Sequence, residues 1–481
     1  MKRMKSICCL LLAIGMVLTA GACGAKDTAS GDQSSGAGNT VEEDIPATRP
    51  AANTESLSAP KYEITDTVVE IIVDEDFTGK DPEKNTWARV AQSAKNHYGI
   101  ELKPIIVDTE EQTQYILTSL ASDKAPDIIE TQKLPGWFPK MCADNTFVAI
   151  SDYVNFKDLL WKDEVYAMEN YKIGNKYYAL SLGGYSPVEM VYNKKLIKNA
   201  GLTDPMELYK KGEWTWSKLL EYVEALSGDI NGDYANDIFG VDDTPMAQAY
   251  LTSMGTGITK MVNGKVTLDP INGGNYEKLG DFLNSMCRKQ TNGYMPDPNG
   301  LNGDNVSLLA NDKLVFSFMG RWGVLENKEL TAKMKKGDLA LVMAPRHDDA
   351  DKYYCYGVTS GYAIPAGGNV VGAIATLTST RLDDYPSADR LAKVKQSYID
   401  DGWDADSAHI LTYDIAGYEG CYQKATLVSL GIDMFNTTMA STVNDLLYDP
   451  LYQGTSWRDT KGLYLTKLEN AVEVANMYFS K

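Results

Sequence analysis

The chain has 481 residues, 44% hydrophobic, 23% charged and 10% aromatic, with a formal net charge of −19 and a pI near 4.7. That mixture supports packed cores for two or three domains and excludes collagen-like, coiled-coil and wholly disordered chains. The acidic balance argues against nucleic acid as a partner, and three scattered histidines (His97, His347 and His409) argue against a His-rich metal site.

The N-terminus reads as an export signal. Lys2, Arg3 and Lys5 precede an apolar run over residues 7–20, too short to span a bilayer as a mature helix. Ala20, Gly21, Ala22 and Cys23 follow, and the whole resembles a bacterial lipoprotein signal peptide, cut before a cysteine that takes diacylglycerol on sulfur. Ala20 departs from that pattern, which usually has Leu there, and an ordinary secretory signal is the alternative. Residues 1–22 are expected to be removed and Cys23 to carry lipid. Residues 23–60 are rich in Ser, Gly, Ala, Thr, Asn, Asp and Pro, bury little apolar surface, and are expected to form a flexible tether. The location so implied is extracytoplasmic, lipid-anchored to the outer face of the bacterial cytoplasmic membrane. Beyond Cys23 the cysteines are Cys142, Cys287, Cys355 and Cys421, without zinc or redox spacing. They are buried free thiols or disulfides in any of three connectivities.

The body alternates strand and helix signals. Residues 67–73 (TVVEIIV) are β-branched and predict a first strand. Residues 85–98 predict an amphipathic helix stopped by Gly99, 100–107 a second strand, 113–121 a helix, and 126–129 the opening of a third strand. This order predicts a parallel sheet with helices on its faces. Ligands of such sheets sit beyond the carboxyl ends of the strands, so the loops after Val73 and Ile129 should face a cleft. The pattern resumes with a glycine-interrupted stretch at 178–186 and a strand at 188–193. Helices are expected over 194–200, 217–226, 276–286 and 306–311, and strands over 314–319 and 339–343. Beyond Pro386 the chain reads as mainly helical, with loops near Gly402 and over 449–462. Two α/β lobes joined by several crossings are the simplest arrangement.

Five segments then appear in a telling order: 120–128 (LASDKAPDI), 192–202 (YNKKLIKNAGL) with Asp204-Pro205 after it, Thr215-Trp216 at a helix start, 316–322 (FSFMGRW) and 361–365 (GYAIP). Together they resemble the extracellular solute-binding proteins, family 1, the sugar-type substrate-binding lipoproteins of ABC importers. The resemblance implies an α/β, two-lobe periplasmic-binding-protein-like fold of type II. Each lobe would be a mainly parallel sheet flanked by helices, with residues 61–182 and 344–405 in one lobe and 183–343 and 406–481 in the other. It implies a monomeric, non-catalytic receptor without a required cofactor, which passes a carbohydrate, an oligosaccharide by expectation, to the transmembrane subunits of an ABC permease. A binder needs aromatic faces for sugar rings and polar groups for hydroxyls, and no nucleophile is advertised. The alternatives are a secreted glycoside hydrolase, which needs a pair of flanking carboxylates, and a receptor for a non-sugar solute on the same fold.

Candidate site residues follow from this. Trp322 stands where the resemblance implies a ligand-stacking tryptophan, with a core tryptophan as the alternative. Arg321 offers paired donors to hydroxyls or a carboxylate, or forms a surface salt bridge. Glu130 and Thr131, after the third strand, either point into the cleft or sit in a solvated loop. Asp74 and Asp76, with Glu75 between them, crowd the end of the first strand, where one of them can accept from sugar hydroxyls. Tyr185 and Ser186 lie near the expected crossing between lobes, and Trp137 caps the cleft or packs under its loop. Gly361 and Tyr362 enter the GYAIP segment, where close backbone approach is expected. Residues 229–237 (DINGDYAND) carry oxygens at Asp229, Asn231, Asp233 and Asp237, the odd-position spacing of a calcium loop. Gly232 precedes Asp233 instead of following it, and Gly240 stands where a twelfth-position Glu would be, so an acidic turn competes with a structural calcium remote from solute. The acidic net charge disfavours an anionic solute unless Arg321 reverses the local sign.

Overall fold

Runs of β-branched residues form strands, runs with 3.6-residue spacing form helices, and the two sets close around separate cores. The computed structural model describes residues 57 and 59–479, except 135–137, 163, 165–167, 169–170, 230–231, 233–236, 243–246, 256, 263–264, 269–273, 287–303, 419, 424 and 429–436. Within some elements only the backbone is described, at Tyr185, Ser186 and Trp322 among others. Cys23, the signal segment and the tether up to residue 56 lie outside the described residues, as do Trp137, Cys287, Asn231 and Asp233. Among the described residues no helix is long and apolar enough to cross a membrane.

The first half is built as its sequence predicts. β1 (Val68–Val73) pairs in parallel with β2 (Glu101–Ile106), and Ile128 adds a parallel bridge to Ile71. Between them α1 (Thr86–Tyr98) starts where the Asn85 side chain accepts the Ala88 N–H. It ends at Gly99, whose φ of 69° is a left-handed stop that costs glycine nothing. α2 (Gln112–Ala121) then leads to β3 (Ile129–Glu130). Val69, Ile71 and Val73 turn to one face with Ala88 and Val90 of α1, while Ile72 joins Ile116 and Ile129 on the other. Strand alternation therefore loads both faces of the sheet.

The second half surrounds its own core. β4 (Leu180–Pro187) delivers the chain to β5 (Met190–Asn193), which joins β6 (Phe239–Val241), β7 (Leu314–Ser317) and β8 (Leu339–Val342) in the order β8-β5-β7-β6. Only β6 and β7 pair in parallel; β5 runs antiparallel to both neighbours. The expectation of a mainly parallel second sheet is corrected to a mixed one. A parallel neighbour needs a crossover over the sheet face, whereas β5 arrives directly from the other half and is free of that constraint. Against this sheet packs α3 (Trp216–Leu226), capped by Thr215, which buries Trp216, Leu219, Tyr222 and Val223 along one stripe.

Two long strands join the halves. β4 pairs antiparallel with β9 (Tyr353–Ala363), from Gly357 opposite Pro187 to Tyr362 opposite Leu180, with a register irregularity between Thr359 and Gly361. Tyr353, Cys355 and Tyr356 belong to the second core, Ala363 and Ile364 to the cores of the first half. Residues 344–356, expected in the first lobe, thus pack with the second, because the return crossing happens inside β9. β10 (Ala425–Val428) extends this ladder in parallel. A third connection follows α5 (Val370–Asp383), which lies against α1, and leads into α6 (Ala388–Asp401); Tyr398 and Trp403 already pack with the second core. The loop expected over 449–462 ends early, since α7 (Trp457–Phe479) starts where Trp457 seats against Gly280, at which a Cβ would come within 2.4 Å. Cys142 and Cys355 are buried free thiols, and Cys421 is half-buried.

The crossing ladder is intolerant at one point. A Cβ on Gly361 would lie 2.5 Å from the ring of the buried Tyr171. Gly361→Ala is expected to destabilise the protein by about 1–3 kcal/mol, the usual range for overpacking, read as a lower urea midpoint. An unchanged midpoint would show that Tyr171 gives way without cost.

Candidate functional site

Because β4 and β9 run from one core to the other, the space beside them is walled by both. A cavity of about 340 Å³ lies there, with Leu182 and Pro187 of β4 and Tyr362 of β9 in its wall. Trp87 of α1 contributes from the first core and Leu411 and Ile415 from the second. Trp87 meets the Tyr362 ring edge to face, with centroids 5.9 Å apart. Burial raises the Tyr362 hydroxyl, which stays protonated at neutral pH.

The polar part of the wall is dominated by arginine. Arg89, Arg321, Arg381 and Arg390 all line the cavity, with Glu164 and Asp384 as the carboxylates. Asp384, at the C-terminal end of α5, is shared: Arg89 and Arg390 both pair with it, the latter at 2.8 Å. Arg381, only 2% exposed, donates from Nε to the Leu160 carbonyl at 2.9 Å and lies 3.3 Å from Glu164 through Nη1. Its Nη2 is buried without a hydrogen-bond partner.

Arg321 is placed by the turn out of β7. Asp242, after β6, accepts from the Ser317 hydroxyl at 2.6 Å and from the Phe318 N–H at 3.0 Å, and Gly320 takes a φ of 66° that glycine permits. This starts α4 (Gly320–Leu325) beside the crossing. The fully buried Glu189 accepts from the Arg321 backbone N–H at 3.2 Å and from Nη1 at 3.4 Å. The guanidinium lies 5.5 Å over the Tyr398 ring. Burial pushes the Glu189 carboxyl up and Arg321 only partly offsets it.

Of the residues singled out in the sequence, Arg321 and Tyr362 meet in this cavity. Glu130 is near it, since it pairs with Tyr362 across β3 and β9, and its side chain lies 3.8 Å from Lys133. Thr131 is fully buried outside the cavity wall, and its hydroxyl has no hydrogen-bond partner. Asp74 is exposed, and Asp76 accepts from the Thr78 N–H at 2.8 Å, a bond that holds its carboxyl below the usual range. Asp76 therefore shapes its own turn. Tyr185 and Ser186 lie on β4 opposite Thr359 and Val358, and Trp322 lies on α4. The close approach expected at Gly361 is made by Tyr171. In the acidic loop, Asp229 accepts from the Gly232 N–H at 2.6 Å, and Gly228 bridges to Ile238. Among the described residues no group of three His, Cys, Asp or Glu is placed to hold a metal ion. Sequence reasoning did not find Trp87, Arg89, Arg381 or Tyr398. Only Arg381 leaves a signal, as a cation ending a run of small and apolar residues.

Residues 88–413 match the family described as bacterial extracellular solute-binding protein. No curated protein matches the chain by sequence. Among solved structures, the sugar-binding protein MalE of Xanthomonas citri superimposes with a TM-score of 0.64 at 14% identity, covering 86% of this chain and 100% of its own. A sugar transporter protein of Rhizobium etli in an open conformation gives 0.60 at 17%, covering 84% and 99%. An ABC substrate-binding protein of Listeria monocytogenes in complex with cycloalternan gives 0.54 at 15%, covering 86% and 98%. At these identities the likeness establishes the two-lobe α/β fold.

Titration of Glu189 is measurable against a variant. In the unfolded chain a Glu ionises near pH 4.3, and in the fold at a higher pH. Its contribution to stability is therefore full below the unfolded value and is lost as pH rises through the folded one. Glu189→Gln should gain stability relative to the parent as pH rises above the unfolded value of about 4.3 in urea melts. A difference that does not change with pH would mean that Arg321 fully offsets burial.

Proposed function

The chain belongs to the bacterial extracellular solute-binding protein family, and from that premise we propose that it captures a carbohydrate between its lobes for an ABC importer. In this reading the solute is an oligosaccharide, handed intact to the transmembrane subunits of the permease. The observation that carries it is the cavity itself: its wall comes from both cores, and the crossing strands run beside it. Aromatic rings at Trp87, Tyr362 and Tyr398 in the wall suit a sugar, and arginine donors suit ring and hydroxyl oxygens. Sugar-bound relatives of the same fold support the solute class, among them a maltodextrin-binding protein with maltotetraose and a mannotriose complex.

Binding of this kind works by shifting a population. A ligand that touches both walls stabilises the arrangement in which both are near, and so favours closure. A glycoside hydrolase needs two carboxylates flanking the sugar, and both carboxylates of this wall are engaged in ion pairs, Asp384 with two arginines and Glu164 with Arg381. The lobes follow the two cores, and the protein acts as a monomer on a tether. We place it outside the cytoplasmic membrane, held by lipid on Cys23.

Two measurements test this. A panel of mono- and oligosaccharides should contain a ligand that raises the melting temperature, by the equivalent of about 2.7 kcal/mol at 100-fold excess over Kd. Trp322→Ala should abolish that shift while the protein stays folded; an unaltered shift removes Trp322 from the site, and cleaved sugar in the mixture replaces the receptor with a hydrolase. For the anchor, Cys23→Ala should move the protein from the detergent-rich phase to the aqueous phase. A variant still found with membranes would refute lipidation at that residue.

A further inference from the structure

We propose that the solute held in this cavity carries a carboxylate, which makes the captured saccharide an acidic one built with uronic-acid units. The inference rests on the reading of the cavity as the solute site. Its first support is charge. The chain as a whole is strongly acidic, with a net charge of −19, yet the cavity is lined by four arginines and two carboxylates. Asp384 serves two of those arginines at once, so the Arg89–Asp384–Arg390 group keeps an unneutralised positive charge. Among the described residues the carboxylate paired with Arg321 is Glu189, which is fully buried behind it, and burial pushes its carboxyl up.

The second support is hydrogen-bond supply. Arg381 is almost completely buried, lines the cavity, and leaves Nη2 without a partner. An unpaired N–H on a buried guanidinium is costly, and an anionic oxygen removes the cost once a shift of the wall uncovers Nη2, which is enclosed in this structure. The Arg321 guanidinium, which lines the cavity, bonds Glu189 through Nη1, and among the described residues no hydrogen bond is made by its Nε or Nη2. Arginine only donates, and an ionised carboxylate only accepts. A neutral sugar hydroxyl has to place its own proton as well. In this wall the carboxylate acceptors are already occupied, Asp384 by two arginines and Glu164 by Arg381. A site with surplus donors and committed acceptors matches a carboxylate better than a hydroxyl, and the planar guanidinium fork matches it in shape.

The test uses the full-length lipoprotein in detergent and isothermal titration calorimetry. The probes are oligouronates of several backbones (galacturonate, guluronate, mannuronate, glucuronate), their methyl esters, and neutral oligosaccharides of equal length. An acidic oligomer should bind at least tenfold tighter than its own methyl ester, and added salt should weaken it. Arg381→Gln and Arg321→Gln should each lose most of that preference; the comparison of acid with ester on the unaltered protein stands even where a variant misfolds. Equal or tighter binding of the ester, or binding of neutral oligosaccharides alone, overturns the acidic solute and leaves the carbohydrate receptor standing. Failure of every saccharide to bind overturns the receptor reading itself, and this inference with it.

Discussion

The pairing of β4 with β9 is the contact on which the rest of the molecule depends. Each strand begins in one hydrophobic core and ends in the other, and they are hydrogen-bonded along most of the passage. The two cores are otherwise independent in composition, one built on the parallel β1–β2 pair and the other on the mixed β8-β5-β7-β6 sheet. Any change in the angle between them has to be absorbed by this ladder and by the connection from α5 to α6. The ladder is irregular between Thr359 and Gly361, and Gly361 leaves room for the Tyr171 ring. Regular pairing on both sides of one irregular step concentrates bending there instead of spreading it along eleven residues.

This placement also explains why the cavity has its particular wall. α1 and α5 reach it from the first half, α4 and α6 from the far side of the crossing, and charged side chains end where these helices meet. Asp384 joins Arg89 of α1 to Arg390 of α6, so a single carboxylate ties together the start of one helix, the end of α5 and the start of the next. Glu189 fixes Arg321 through both its backbone and its side chain. Buried ion pairs of this kind add little net stability, since desolvation consumes much of the Coulomb gain. What they supply is direction: the guanidinium groups are already oriented before a ligand arrives, which lowers the ordering cost of binding.

The first five elements were legible because local signals agreed. The β-branched run of β1, the Asn85 cap and the Gly99 stop each state the same boundary that the structure shows. α5 was hidden for the opposite reason. Gly372 to Arg381 are buried at every position, so no polar face alternates with an apolar one, and its Val, Ile and Thr content reads as strand. β9 was recognised only at its end, since a stretch with Gly, Ser and several Tyr has no β-branched run and its partner β4 lies far away in the chain. The site divides along the same line. Arg321 and Tyr362 sit in segments with a recognisable motif, whereas Trp87, Arg89 and Tyr398 converge from three helices and are adjacent only in the folded chain.

Global and local charge then act at different stages of one encounter. An anionic solute approaching a chain of net charge −19 meets repulsion at long range, but at physiological salt exposed charges are screened beyond about 8 Å. Within that distance the solute senses the cavity wall, where arginines outnumber carboxylates and low-dielectric surroundings strengthen each pairing. Long-range charge governs the rate of association, and desolvated pairs govern the rate of escape. On the acidic-solute proposal, an acidic exterior around a basic interior slows anions at the surface in proportion to their charge, and selectivity falls to the short-range pairings of the cavity wall.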